Sequence, residues 1–117
     1  MDISTSALRV MNVLWDRGDS SAKDVAKALE DACGWNKNTT YTVIKQCVKK
    51  GLIERIEPGF LCHPLASRQQ IQQTEVANLA QRLFHDSPAL LFSTLVGGKD
   101  LSEEEIEALR KLIEQLE

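Results

Sequence analysis

Because residues three and four apart share one face of an α-helix, apolar residues that recur at that spacing predict amphipathic helices. A first helix begins after Ser4, whose side chain can cap it, and ends at Gly18. Its apolar face consists of Leu8, Met11, Leu14 and Trp15. A second helix begins at Ser21 and Asp24, which approximate a capping box, and ends at Gly34. Its predicted core residues are Val25, Leu29 and Ala32.

A third helix and a hairpin follow. The helix begins near Asn36 and ends at Gly51. Two short β-prone segments, residues 52–57 and 60–64, then flank a Pro-Gly turn. Three helices followed by a small hairpin are the layout of a winged helix-turn-helix. We therefore predict a mainly α fold with a winged-helix domain at residues 1–66.

Residues 67–117 are predicted to form three further helices, which begin at the capping residues Ser67, Ser87 and Ser102. The segment ALLFSTLV in the middle helix is apolar nearly all round. Three short helices cannot bury this segment and two flanking apolar stripes within one copy, so we predict a homodimer with residues 67–117 as its dimerisation domain. The alternative is a monomer in which these helices pack onto the winged helix. The predicted dimerisation residues are Ile71, Leu79, Leu83, Leu91, Phe92, Leu95, Ile106, Leu109, Ile113 and Leu116.

One face of the third helix carries no acidic residue. At about 100° of rotation per residue, the core-facing positions are Thr40, Val43, Ile44, Cys47 and Val48. The opposite side carries a polar stripe of Asn38, Thr42, Lys45 and Lys49, flanked by Tyr41 and Gln46. Lysines neutralise phosphates, and the other side chains can hydrogen-bond base edges or phosphate oxygens. Such a stripe is also found on ordinary solvated helices, but its position after a short helix and before a hairpin favours double-stranded DNA.

Charge is distributed unevenly along the chain. The net charge of −3 disfavours a nucleic-acid partner when taken alone. Residues 1–66, however, carry nine Lys and Arg against eight Asp and Glu, whereas residues 67–117 carry five against nine. The winged-helix domain is therefore the basic half. The predicted DNA-binding residues are Lys37, Asn38, Tyr41, Thr42, Lys45, Gln46, Lys49, Lys50 and Arg55.

The remaining candidate chemistry is sparse. Three cysteines at unrelated spacings argue against a disulfide framework and fit a reducing cytoplasm, where we expect the protein. Cys62 and His63 are adjacent on a predicted strand and so point to opposite faces, which disfavours a shared metal ion. No catalytic constellation, phosphate loop or zinc motif is present, so we expect neither a cofactor nor an enzyme. No signal peptide is evident and no apolar segment is long enough to cross a bilayer, so membrane insertion is not expected.

Three segments resemble one protein family: ISTSALRVMNVLW at 3–15, WNKNTTYTVIKQCVKKGLI at 35–53 and LSEEEIEALRKLI at 101–113. They are similar to the penicillinase-repressor family (BlaI/MecI) of winged-helix regulators, and the resemblance covers nearly the whole chain. It implies an N-terminal DNA-binding domain, a C-terminal dimerisation domain, and a dimer that represses transcription on palindromic operators. It also implies a DNA-binding role for Thr39, which like Thr42 aligns with threonines in the family's recognition helix.

The chain departs from the family pattern at three places. Gln46 stands where an Arg is common, which exchanges a guanine preference for an adenine preference. The wing segment EPGF lacks a basic residue after its glycine, and Arg55 is the available substitute for a phosphate contact. Copper-responsive relatives end in a Cys-rich tail, whereas this chain has no Cys after Cys62.

The resemblance also implies a mechanism of release. Some relatives are inactivated by proteolysis in the C-terminal domain, triggered by a membrane-embedded sensor metalloprotease. The matching segment here is STLVGG, with Thr94 and Leu95 nearest the position that is cut in relatives.

A second class of function stays open at this point. Winged helices also serve as protein-interaction adaptors that do not bind DNA. The uncharged Gln46, the short wing and the net charge of −3 favour that alternative.

Overall fold

The computed structural model describes residues 3–97 and 102–115 of the chain. The elements in chain order are α1 (Thr5–Arg17), β1 (Ser20–Ser21), α2 (Ala22–Cys33), α3 (Lys37–Lys49), β2 (Ile53–Ile56), β3 (Leu61–Pro64), α4 (Arg68–Leu83), α5 (Pro88–Gly97) and α6 (Glu103–Gln115). Helices dominate, so the predicted mainly α fold is confirmed. The first three helices and the β2–β3 hairpin form the predicted winged helix-turn-helix.

The three strands form one antiparallel sheet in the order β1, β3, β2. Ser20 of β1 and Arg55 of β2 both pair with Cys62 of β3. The sequence does not predict β1, because its two serines lack the branched or aromatic side chains that favour strands. The backbone N–H of Ala22 also donates to the carbonyl of Phe60 at 2.9 Å, which ties the start of α2 to the wing.

The core of the winged helix lies between α1, α2, α3 and the sheet. Its largest fully buried side chains include Met11, Leu14, Ile44, Leu52 and Ile53. The buried face of α3 is the predicted one, since Thr40, Val43, Ile44 and Cys47 are all buried. On α2 the buried positions extend only to Leu29, and Ala32, predicted as core, is exposed near the end of the helix.

The buried face of α1 is rotated from the prediction. Ala7 and Val10 are buried beside Met11 and Leu14, whereas Leu8 and Trp15 are only half-buried. Leu8 and Trp15 instead line a groove beside the start of α4. The indole N–H of Trp15 donates to the carbonyl of Ala66 at 2.9 Å. Helix α1 therefore has two packing partners, and this divides its apolar surface between them.

Side-chain caps begin the helices where the sequence predicts them. The capping residues are Ser4, Ser21, Asn36, Ser67, Ser87 and Ser102. Two caps are reciprocal, because Gln70 accepts the N–H of Ser67 at 2.8 Å and Glu105 accepts the N–H of Ser102 at 3.5 Å. A cap contributes about 1 kcal/mol, so the helix starts are encoded locally.

The chain divides into two compact units, Met1–Glu75 and Val76–Glu117. The division falls within α4, so the first turns of this helix belong to the winged-helix unit. Ile71 is only 7% exposed and packs in the core of that unit. Ile71 is also a predicted dimerisation residue, and that role stays a prediction.

Replacing Thr40 by Val should stabilise the fold. Its side-chain oxygen is fully buried and has no hydrogen-bond partner in the described part of the chain. A buried unsatisfied hydroxyl costs about 1–3 kcal/mol, and Val has nearly the same shape and helix propensity. We expect Thr40→Val to raise the free energy of unfolding by about 1 kcal/mol, measured by urea denaturation followed by circular dichroism.

The neighbouring exposed residue provides the control. Thr39→Val makes the same chemical change at a solvated position of α3 and should alter the free energy of unfolding by less than about 0.5 kcal/mol. A loss of stability in Thr40→Val larger than in Thr39→Val would show that the buried hydroxyl is bonded rather than orphaned.

Candidate nucleic-acid interface

Helix α3 is defined by local signals at its start and by burial of one face. Gly34 ends α2 in a left-handed conformation at φ 75°, which glycine adopts more readily than residues with a Cβ. Two residues later the side chain of Asn36 accepts the N–H of Thr39 at 2.9 Å and caps α3. This short turn is the connection of a helix-turn-helix, and it fixes α3 as the second helix of that motif.

The polar stripe lies on the solvent side of α3. Its four members, Asn38, Thr42, Lys45 and Lys49, are all exposed. None of the ion pairs formed among the described residues includes a lysine of α3. Among residues 3–97 and 102–115, no acidic side chain neutralises the positive charges of the stripe, which leaves them available to an anionic partner.

Thr42 has a defined side-chain orientation. Its hydroxyl donates to the carbonyl of Asn38 at 2.9 Å, one turn earlier in α3. This bond uses the hydroxyl hydrogen, so toward a partner the residue presents a methyl group and an oxygen lone pair. A methyl group fits against the methyl of thymine, and the lone pair can accept from an exocyclic amine.

The predicted flanking residues lie on either side of the stripe. Lys37 places its Nζ 5.6 Å from the centroid of the Tyr41 ring, and Tyr41 is half-buried. Thr39 and Gln46 are exposed on the other flank. The helix therefore brings together every predicted contact except Lys50 and Arg55, which lie beyond its C-terminal end.

Arg55 belongs to the wing, and its charge is engaged there. Its guanidinium carbon lies 3.7 Å from the centroid of the Phe60 ring, and its Nε lies 3.3 Å from Oε2 of Glu57. Sequence reasoning missed Glu57 and Phe60. The available signal is the spacing of Arg55 and Glu57, because residues two apart on a strand share a face.

The candidate metal pair separates in the folded chain. Cys62 is buried in the core, whereas the half-buried His63 places Nδ1 2.8 Å from Oδ1 of Asp19. Within residues 3–97 and 102–115, no group of three His, Cys, Asp or Glu side chains is placed to hold a metal ion. His63 thus connects β3 to the turn before β1.

A second exposed surface lies in the C-terminal unit. Helix α5 is described along its whole length and none of its residues is buried, with Leu90 45%, Leu95 57% and Val96 40% exposed. Leu83 at the end of α4 is 65% exposed. The other described members of the predicted dimerisation set are half-buried: Leu79, Leu91, Phe92, Ile106 and Leu109. Ile113 falls within α6, and Leu116 lies outside the described residues.

The predicted cleavage position is helical. Thr94 and Leu95 lie within α5, and the hydroxyl of Thr94 donates to the carbonyl of Leu90 at 2.9 Å. Both residues are exposed. The segment is thus accessible from solvent but not extended.

Comparison with known proteins resolves the family. The family model for the penicillinase repressor matches residues 3–115. The chain belongs to the penicillinase repressor family. It is accordingly a DNA-binding transcriptional repressor by family, and its family is not one of enzymes. Among the helices of the described residues, none is long and apolar enough to span a membrane.

Individual relatives agree with this assignment. The methicillin resistance regulatory protein MecI of Staphylococcus aureus (strain N315) is 27% identical over 114 residues, which are 96% of this chain and 93% of the relative. The penicillinase repressor of Bacillus licheniformis is 24% identical over 115 residues, 97% of this chain and 90% of the relative. The solution structure of the DNA-binding domain of the repressor BlaI matches with a TM-score of 0.54 and 27% identity, covering 59% of this chain and 87% of that domain.

Two thiols of this penicillinase repressor family member should be nearly inert. Burial raises the pKa of Cys47 and of Cys62 from 9.0 to about 11, against the opposing positive charges of Lys50 and Arg55. Such thiols hold about a hundredfold less thiolate near pH 8 than one with a pKa of 9.0. We expect one fast-reacting thiol in the native chain, the half-buried Cys33, and three in denaturant, counted by reaction with a chromogenic disulfide.

Cys33→Ser is the control and should remove the fast phase alone. Rapid reaction of two native thiols would contradict the burial of Cys47 and Cys62. The raised pKa also has a consequence for stability, since the folded state disfavours both thiolates. Burial of the two protonated thiols stabilises the folded state fully below pH 9, the pKa of an exposed thiol. This stabilisation is lost as the pH rises through the folded-state pKa of about 11.

Proposed function

We propose that the chain represses transcription as a homodimer on a palindromic operator, with α3 of each copy in the major groove. The observation that carries this proposal is the polar stripe, an exposed face of the second helix of a helix-turn-helix with two lysines that no acid of the described chain neutralises. Helix N-terminal residues lead into the groove in this motif, so Asn38 and Thr42 are assigned to base edges. Because the proposed partner is a double-stranded DNA operator, the proposal includes a cytoplasmic location.

The two halves of the stripe are assigned different roles. Asn38 can make paired hydrogen bonds to adenine, and Thr42 offers a methyl group and an acceptor. Lys45 and Lys49 lie further along the helix and are assigned to phosphates, which position the protein without specifying sequence. Lys37, Thr39, Tyr41 and Gln46 are assigned supporting contacts on the flanks, and Arg55 a contact from the wing.

Thr42→Ala should change which sequence the protein prefers. Loss of the methyl and hydroxyl should cost about 1–3 kcal/mol on the best site and little elsewhere. Lys49→Ala should instead weaken all sequences alike and reduce the salt slope of binding by about one. Selection of bound sequences from a random duplex pool, followed by titrations at several salt concentrations, measures both effects.

Lys111→Ala is the matched control, because it removes an equal charge from α6 in the other unit. It should leave both preference and salt slope unchanged. If Lys49→Ala changed the preferred DNA sequence and Thr42→Ala did not, the assignment of Thr42 to base edges and of Lys49 to phosphates would be wrong.

The homodimer is supported by the uncovered apolar surface of α5. Leu90, Leu95 and Val96 are exposed on this helix, and none of its residues is buried. Monomeric proteins rarely leave much apolar surface to solvent. Beside it, Phe92, Val96, Ile106 and Leu109 line a cleft of about 200 Å³ between α5 and α6. If two copies packed these surfaces against each other in an isologous interface, the apolar surface of each copy would be buried by the other.

Release from DNA is proposed to follow cleavage at Thr94 and Leu95, made by a membrane-embedded sensor protease. A dimer on two half-sites gains from effective concentration, whereas a separated winged helix binds each half-site unaided. Because both residues are helical, α5 has to unwind locally before a protease can bind them in an extended form. The exposure of this segment supports the proposal, since unwinding it breaks few buried contacts.

A chain truncated after Leu95 should lose dimerisation and most of its operator affinity. The truncation removes α6 and with it the apolar residues Ile106 and Leu109. We expect a dimeric mass for the intact chain and a monomeric mass for the truncated chain in light scattering after size exclusion. Affinity for a full palindrome should fall by about 10²–10⁴-fold.

Fusing an unrelated dimeric coiled coil after Leu95 is the control, and it should restore affinity by restoring the effective concentration. If the truncated chain bound the palindrome as tightly as the intact one, DNA affinity would not depend on dimerisation through α6, and the proposed release mechanism would be contradicted. A monomeric mass for the intact chain would overturn the homodimer itself.

The second candidate function is a protein-interaction adaptor. The observation that favours it is the pairing of Arg55 with Glu57, which leaves the wing without a free positive charge. Salt dependence separates the two functions, because DNA affinity falls steeply as salt rises. Salt-insensitive binding to duplex DNA, or none to the promoter of its own operon, would favour the adaptor.

A further inference from the structure

The tip of the wing contains a closed set of contacts centred on one carboxylate. Glu57 places Oε2 3.3 Å from Nε of Arg55 and uses Oε1 to accept the backbone N–H of Phe60 at 3.0 Å. The guanidinium carbon of Arg55 lies 3.7 Å from the centroid of the Phe60 ring. One acidic side chain therefore holds both the arginine and the turn on which it stacks.

The same contacts reach the recognition helix. The ring of Phe60 lies 6.2 Å from that of Tyr41, at an interplanar angle of 40°. Tyr41 is on α3, beside the polar stripe. The carbonyl of Phe60 also accepts the N–H of Ala22 at 2.9 Å, at the start of α2. The position of Arg55 is thus fixed relative to the helix that is proposed to enter the groove.

The pair of Arg55 and Glu57 is close to solvent, with side chains 45% and 55% exposed. An ion pair this exposed contributes little to folding stability, because water and salt screen it. A DNA phosphate offers the same guanidinium two oxygens in a similar geometry. Phosphate and Glu57 therefore compete for one cation, and the carboxylate also repels the phosphate that approaches.

We propose that Glu57 is a positioning residue that limits DNA affinity: it holds Arg55 flat on Phe60 beside α3 and competes with a DNA phosphate for its guanidinium. The inference rests on the DNA-binding function proposed above. Phosphate contacts are the part of binding that does not depend on sequence. Restraining one of them lowers non-specific affinity while the base contacts of α3 are kept, and so widens the ratio of specific to non-specific binding.

Glu57→Gln tests the proposal with little disturbance of the wing. The amide oxygen of Gln can still accept the N–H of Phe60, whereas the negative charge is gone. The probe is a mixed-sequence duplex of about three helical turns, titrated with the full-length chain at several salt concentrations. We expect affinity to rise about five- to tenfold near 0.1 M salt, with a salt slope steeper by about one.

Glu54→Gln is the matched control. Glu54 is exposed, carries the same charge and precedes Arg55 on β2, but neighbouring strand residues point to opposite faces. It should change affinity less than about twofold, because it removes charge without releasing Arg55. Thermal unfolding of all variants by circular dichroism verifies that the fold is unchanged.

A double-mutant cycle decides whether the effect passes through Arg55. If Glu57 acts by holding this arginine, Glu57→Gln should gain nothing in an Arg55→Gln background. The same gain in that background, or an equal gain in Glu54→Gln, would show a general effect of charge and overturn the proposal.

The outcome for the unsubstituted chain separates this inference from the proposed function. Salt-dependent binding of the duplex by the unsubstituted chain, with no change in Glu57→Gln, overturns the role of Glu57 alone. Binding that is absent or insensitive to salt in the unsubstituted chain overturns DNA binding itself and this inference with it.

Discussion

Burial of one side of α3 is the interaction on which the proposed interface depends. Thr40, Val43, Ile44 and Cys47 pack against α1, α2 and the sheet, and this packing fixes the rotation of the helix about its axis. The polar stripe is then held on the opposite side in a single orientation. A rotation of one residue would move lysines toward the core, where an unpaired charge is strongly unfavourable. The hydrophobic contacts that stabilise the fold therefore also orient the side chains that are proposed to contact DNA.

The wing adds a second constraint of a different kind. It is attached to the motif by the β-sheet and by the contact of Phe60 with Tyr41, so its tip is placed relative to α3. Its positive charge, however, is matched by its own acid. The two lysines of the stripe have no such partner among the described residues. The positive charge that we propose to attract DNA is accordingly concentrated on the helix rather than on the wing.

The C-terminal unit differs from the winged helix in what it leaves uncovered. The winged helix buries most of its large apolar side chains in one core, whereas α5 leaves Leu90, Leu95 and Val96 exposed and buries none of its residues. A helix with apolar residues on every side cannot be covered by one neighbouring helix, because each contact covers only one side. This surface is the physical reason to propose that two copies associate, and it makes the proposed cleavage segment accessible.

Local signals in the sequence determined much of this protein by themselves. The caps from Ser4 to Ser102, the glycine after α2 and the two-faced pattern of α3 predicted the helices and the exposed stripe, because each depends on residues within one or two turns. Contacts between distant segments were decided only by the tertiary structure. It divided the apolar face of α1 between the core and α4, enclosed Ile71 in the winged-helix unit, and placed Glu57 and Phe60 around Arg55. The spacing of residues along the chain does not predict which distant side chains will be in contact, because those contacts depend on how all the elements pack together.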